Sequence, residues 1–140
     1  MWRASLIVLL LAACAPLPPT PEDIQAKKFE PAQGKAVIYL VRPNLDFSNL
    51  PASMLLDERI RVITYPGTYY RWEAPPGPRR ISGAAGTDNA VITVQAEPGR
   101  IYFVEQSVMP TGFTQYSHLV LVDDRKGREL VLRGELVRSY

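Results

Sequence analysis

Covalent or acid–base chemistry has few residues to draw on in this chain. Among 140 residues there is one cysteine, Cys14, and one histidine, His118. Cys14 closes the run Leu11-Ala12-Ala13-Cys14, and a thiol acts as a nucleophile through its thiolate form. His118 shares its strand face with Tyr116, Val120 and Val122 and reads as a half-buried packing residue. A catalytic base needs a nucleophile and an orienting partner, and the sequence assigns neither. One imidazole and one thiol leave mainly carboxylates to bind a metal. The neighbours Asp57 and Glu58, like Asp123 and Asp124, point to opposite sides of an extended segment. They read as a solvated turn and as a helix cap. Gly83-Ala84-Ala85-Gly86-Thr87 is glycine-rich but lacks the Gly-Lys-Ser/Thr ending that grips phosphate and Mg²⁺. No catalytic residue, metal ligand or cofactor site is expected. The remaining candidate is aromatic: Tyr69, Tyr70, Arg71 and Trp72 on one strand, near Tyr65. Tyr69 and Arg71 share one face, Tyr70 and Trp72 the other. A Tyr or Trp beside Arg is the composition of a recognition hot spot, so one face is a candidate partner surface for an envelope protein or a glycan. Edge packing beneath the loops is the competing reading.

Those residues must be placed by the rest of the chain, beginning with its N-terminus. Arg3 precedes an apolar run from Leu6 to Ala13 that ends in small residues, the pattern of a secretory signal peptide. The run falls short of the ~20 apolar residues that cross a bilayer, and Pro16, Pro18 and Pro19 follow at once. With Cys14 directly after the small pair, Leu11-Ala12-Ala13-Cys14 resembles the lipobox of bacterial lipoproteins. That resemblance implies a diacylglyceryl group on the Cys14 sulfur, cleavage before Cys14, and acylation of the new amine. Each buried methylene contributes about 0.8 kcal/mol and a single chain binds only marginally, so two or three acyl chains on Cys14 make a stable membrane anchor. Ala15 stands where an Asp would resemble an inner-membrane retention signal, so the same resemblance implies the outer membrane, facing the periplasm.

Removal of residues 1–13 leaves a chain of one-domain size. The formal charge is +2 for the whole sequence, from 16 Lys and Arg against 14 Asp and Glu, with no basic block. That balance argues against nucleic acid as a partner and against an electrostatic membrane surface. Residues 14–30 read as the lipidated cysteine and a proline-rich, extended tether, with one helical turn or an edge contact over 24–29. Residues 31–140 read as a single folded domain. Strands are expected at 36–41, 53–56, 60–64, 68–73, 79–83, 90–95, 100–108 and 116–122, with a loop at 109–114. Asp123 and Asp124 cap a short C-terminal helix over 128–133 that ends at Gly134, and 135–137 adds an edge strand. Seven or eight short strands separated by frequent turn signals make a mainly β, antiparallel β-sandwich; a small β-barrel is the alternative.

The order of Gly34-Lys35-Ala36-Val37-Ile38-Tyr39-Leu40-Val41-Arg42-Pro43, the hairpin at Asp57-Glu58-Arg59, Pro75-Pro76-Gly77, and Ala96-Glu97-Pro98-Gly99-Arg100-Ile101-Tyr102-Phe103-Val104 resembles a family of bacterial lipoproteins described as domain of unknown function 2846. The resemblance runs from about Ala26 to Gly134. It implies a small β-sandwich similar to PEGA-type and carboxypeptidase-regulatory-type domains, and it carries no activity. The chain departs from that pattern where Asp57-Glu58-Arg59 lacks a glycine and where Pro78 follows Gly77. The expectation is therefore a lipid-anchored cell-envelope protein that binds or supports rather than catalyses. A periplasmic hydrolase-like enzyme and an assembly factor working by β-augmentation are the alternatives.

Overall fold

Strand β1, Ala36–Arg42, is buried at every position. A strand that alternates sides can be buried throughout only if both faces are covered. The computed structural model describes residues 16–140, so Leu11, Ala12, Ala13 and Cys14 lie outside the described residues. Eight strands follow β1: β2 Ala52–Leu56, β3 Ile60–Thr64, β4 Thr68–Ala74, β5 Gly77–Gly83, β6 Val91–Ala96, β7 Ile101–Thr111, β8 Thr114–Val122 and β9 Glu135–Leu136. They form two sheets, ordered β8-β7-β1-β4-β9 and β3-β2-β5-β6. The inner faces meet in a core of Ile38, Leu40, Met54, Leu56, Val62, Trp72, Ile81, Val94 and Val104. The mainly β sandwich expected from the sequence is present, with nine strands.

The outer face of the first sheet carries Val37, Tyr39, Val41, Tyr69 and Phe103 beneath helices α1, Pro21–Ala26, and α2, Asp124–Leu132. Tyr39 stacks on Phe103 with centroids 5.2 Å apart, and Phe29 meets both rings at 5.6 and 6.0 Å. Helix α2 comes close because position 127 is glycine: a Cβ there would overlap the Phe103 side chain. Mid-helix glycine lowers helix propensity, so packing on Phe103 outweighs a local cost, and the helix starts before the expected 128. In the structure Asp123 caps it, its carboxylate accepting from Lys126 N at 2.8 Å, and the helix begins at Asp124.

Two further expectations change, and the hairpin expected at 57–59 is present. Two strand pairs, β1–β7 and β4–β9, are parallel. The turn after β6 reaches the start of β1, where Gly99 N donates to Lys35 O at 2.8 Å, so β7 runs beside β1 in the same direction. The expected loop at 109–114 is strand up to Thr111 and again from Thr114. Thr111 and Thr114 close the intervening turn through their hydroxyls at 3.0 Å. The hairpin at Asp57-Glu58 forms without glycine: both residues adopt positive φ, 48° and 58°. Asp57 is held by Arg79 Nη1 at 2.8 Å and Arg80 N at 2.9 Å.

Within the expected tether, the helical turn or edge contact read over 24–29 begins earlier, at Pro21, and packs on the domain. Proline is accepted at the first helical position because its missing N–H would be unpaired there anyway, and Thr20 Oγ1 caps the turn by accepting from Asp23 N at 3.2 Å. The Asp23 carboxylate accepts from Tyr69 Oη at 2.7 Å and Leu136 N at 3.0 Å and pairs with Lys27 Nζ at 2.9 Å. Tyr39 Oη donates to Ala26 O at 2.6 Å. Burial works against the Asp23 charge, but the bonds from Lys27, Tyr69 and Leu136 outweigh it and hold the carboxyl below its ordinary value of 3.8. A carboxyl depressed in the fold stabilises at pH above that ordinary value, and the contribution is lost as pH falls through the folded-state value. Asp23→Asn is expected to lower unfolding free energy near neutral pH by about 1.5–3 kcal/mol, as for hydrogen bonds to a charged group, and to shrink the acid-induced loss. Urea titrations over a falling pH series test this; an acid loss of equal size in both proteins would contradict it.

Candidate functional site: an apolar rim on a buried ion pair

Strands β1, β3, β5 and β7 run toward one end of the sandwich, which gathers there the connections 43–51, 65–67, 84–90, 112–113 and 133–134. Parity along β1 aims Arg42 inward with Ile38 and Leu40 at that end, and it is wholly buried. A buried charge is tolerated only when paired and hydrogen-bonded, and the loop that follows supplies both. Arg42 Nε meets Asp46 Oδ2 at 2.6 Å. Its Nη1 donates to Leu50 O at 2.8 Å and Thr64 O at 3.2 Å, and its Nη2 to Ser48 O at 2.5 Å. Asp46 also accepts from Phe47 N at 2.8 Å and Val108 N at 3.0 Å, which ties the loop to β7. Gln115 completes the closure, its Nε2 donating to Pro51 O at 2.6 Å and its Oε1 accepting from Ser48 Oγ at 2.9 Å.

A second buried chain of hydrogen bonds pins the 84–90 connection. Thr64 Oγ1 donates to Gln106 Oε1 at 2.7 Å, Gln106 Nε2 to Ser117 Oγ at 3.0 Å, and Ser117 Oγ to Asp88 Oδ2 at 2.7 Å. Asp88 also accepts from Ser117 N at 3.0 Å. It seats against Gly83, where a Cβ would overlap the Asp88 side chain. The glycine-rich stretch at 83–87 is thus part of a structural closure.

With the polar groups of these loops turned inward, the apolar ones face water. Leu45 is 96 % exposed and Phe113, at the tip of the β7–β8 hairpin, is fully exposed. Phe47, Leu50, Tyr65 and Leu132 are also exposed at this end, as is Leu17 just before α1. Leu17-Pro18-Pro19-Thr20 shares a shallow groove with Leu132-Arg133-Gly134, and Leu45 shares another with Leu130, Arg133 and Gly134.

The aromatic strand is placed differently from the expectation. Tyr69 is fully buried beneath α1 and Trp72 is 6 % exposed in the inner core, so neither face of that strand presents a free aromatic platform. Tyr69 and Trp72 are packing residues, because both faces of the sheet are covered at their positions. Only Tyr70 and Arg71 reach a groove, of about 830 Å³, between α1 and the C-terminal residues Leu136–Ser139. Arg71 pairs with Glu73 at 2.7 Å, donates to Glu30 O at 3.1 Å, and holds the Glu73 carboxyl below the usual carboxylate range. Beyond Tyr69 the outer edge of β4 is left by β9, and the charged pair Arg71–Glu73 on it is the kind of feature that blunts strand addition.

His118 is exposed, not half-buried as expected, and lies on the face of β8 opposite the buried Ser117. It points away from its neighbour Ser117, so the imidazole does not meet the Ser117–Asp88 pair. Among the described residues no group of three or more His, Cys, Asp or Glu side chains is placed to hold a metal, and no helix is long and apolar enough to cross a membrane. The rim itself escapes sequence reasoning, which treats 46–51 as plain loop. The available signal was Arg42 at inward parity on an apolar strand, with an acidic residue four positions on. No protein-family model, curated protein or solved structure matches the chain.

The rim depends on the ion pair, so Asp46→Ala is expected to destabilise the fold by about 3–5 kcal/mol by leaving a buried guanidinium unpaired. Replacing both partners by apolar residues, Arg42→Met with Asp46→Leu, is expected to recover much of that loss. Urea denaturation of the two proteins checks the order; a single variant as stable as the parent would show that the pair does not organise the loop.

Proposed function

We propose that this chain is a bacterial envelope lipoprotein, anchored through acyl chains on Cys14 and working as a non-catalytic binding or structural module. The rim is the observation that carries the reading. Large apolar side chains on neighbouring loops are exposed while the polar groups of those loops are hydrogen-bonded inward, and an exposed apolar patch marks a contact site. The leader with Leu11-Ala12-Ala13-Cys14 supports the anchor, and Ala15 supports the outer membrane, facing the periplasm. The likeness to domain of unknown function 2846 supports the same setting and adds no chemistry. A hydrolase reading has less support, because the buried Asp46, Asp88, Gln106 and Ser117 are engaged in closing loops.

The anchor is tested by intact-mass and peptide mass spectrometry of the full chain produced in a bacterial host, beside a Cys14→Ala form. The expected product begins at Cys14, carries two or three acyl chains and remains with membranes, whereas Cys14→Ala keeps its leader. An unmodified Cys14 thiol, or a chain still beginning at Met1 in the parent protein, would overturn the reading.

A further inference from the structure

The exposed apolar side chains are not spread evenly, and neither are the charges. The rim connections 43–51, 65–67 and 111–115 contain one charged residue, Asp46, and its side chain is 1 % exposed. Asp88, in the neighbouring 84–90 connection, is also buried. The opposite end carries Lys35, the turn Asp57-Glu58-Arg59, and the turn from Glu97 to Arg100, where the Arg100–Glu97 pair is about two-thirds exposed. Apart from Arg133 in the 133–134 connection, which is 71 % exposed and paired with Glu129, the loops at this end carry no exposed charge, while the other end is charged.

The N-terminal segment enters the fold at the apolar end. Leu17 to Thr20 lie against Leu132 to Gly134, and the chain runs away from the rim only from Pro21 onward. The span from Cys14 to Thr20 cannot exceed about 20 Å at roughly 3.3–3.6 Å per residue. An anchored Cys14 therefore holds this end, and not the charged one, within reach of the bilayer surface.

We infer that the rim is a membrane seat: Leu45, Phe47, Leu50 and Phe113 dip into the surface of the same lipid bilayer that holds the acyl chains of Cys14. This inference rests on the lipoprotein reading above. The exposed side chains stand on neighbouring loops at one end, and a lipid interface can take up such side chains without a preformed groove. Tyr65 beside them has the amphipathic ring that favours headgroup depth. The acyl chains provide the first of the two signals that stable attachment needs, and the rim provides a second that also sets orientation.

The test uses tryptophan emission from the full, processed chain in vesicles of phosphatidylethanolamine and phosphatidylglycerol, with and without bromine on the upper acyl chain. Trp2 leaves with the leader, and Trp72, buried in the core, is the common background. Variants Phe47→Trp and Phe113→Trp report on the rim, and Arg100→Trp on the opposite end. Apolar groups seated in an interface lie roughly 5–10 Å into the headgroup and acyl boundary, so the emission added by the two rim variants is expected to fall by about half or more in brominated vesicles. The Arg100→Trp emission should stay unchanged. Acylated, vesicle-bound protein whose rim variants are quenched no more than Arg100→Trp would overturn the membrane seat alone. Concentration-dependent self-association in its place would assign the rim to a second copy and overturn the seat equally. Protein that mass spectrometry shows to lack acyl chains would overturn the anchored reading and the seat with it.

Discussion

A single guanidinium placed inside a sandwich constrains much of this molecule. Arg42 ends a strand that is otherwise apolar, and strand parity leaves it no exit to solvent. Its charge has to be answered from within, by Asp46 and by the carbonyls of Ser48, Leu50 and Thr64. These partners come from the connection that leaves β1 and from the end of β3, and Asp46 reaches on to β7. Satisfying one buried cation thus orders a nine-residue connection from Pro43 to Pro51 that has no regular secondary structure of its own. Because the polar atoms of the loop are drawn inward, Leu45, Phe47 and Leu50 are left outside. The exposed apolar surface is a consequence of how the buried charge is paired.

The other constraint is the double cover on β1. Tyr39 and Tyr69 are large and polar-tipped, and burying them on the outer face requires hydrogen-bond partners for their hydroxyls. Helix α1 supplies both, through Ala26 O and the Asp23 carboxylate. Its length of six residues would not keep it helical in isolation; the tyrosines and Leu136 hold it. The same docking fixes where the N-terminal segment meets the domain, and so links core packing to the orientation of an anchored molecule.

Strand-scale periodicity was readable because burial alternates with period two. The strands from β1 to β8 and the turns at 57–59, 75–77 and 97–100 lie close to where alternation and turn chemistry put them. What escaped reading depended on partners distant in sequence. Gly127 looks like a helix breaker until Phe103 is seen beneath it. Pro21 looks like tether until Tyr69 and Leu136 are seen to hold Asp23. Tyr69 and Trp72 have the composition of a binding platform, yet they sit in two different cores because both faces of their strand are covered. The rim was invisible for the same reason: Leu45, Phe47 and Leu50 read as loop residues of mixed type. Only the pairing of Arg42 with Asp46 decides which of their neighbours turn inward.

The proposed membrane seat has this pairing at its root, since the pair is what leaves one end of the sandwich apolar. Hydrogen–deuterium exchange of the acylated chain on lipid vesicles, compared with the same acylated chain diluted into a lipid-free polymer belt, measures the seat most directly. Slower exchange on vesicles is expected in peptides covering 43–51 and 111–115, with no change at 57–59 and 97–100. Equal exchange at both ends in the two settings, or protection at the charged end, would contradict it.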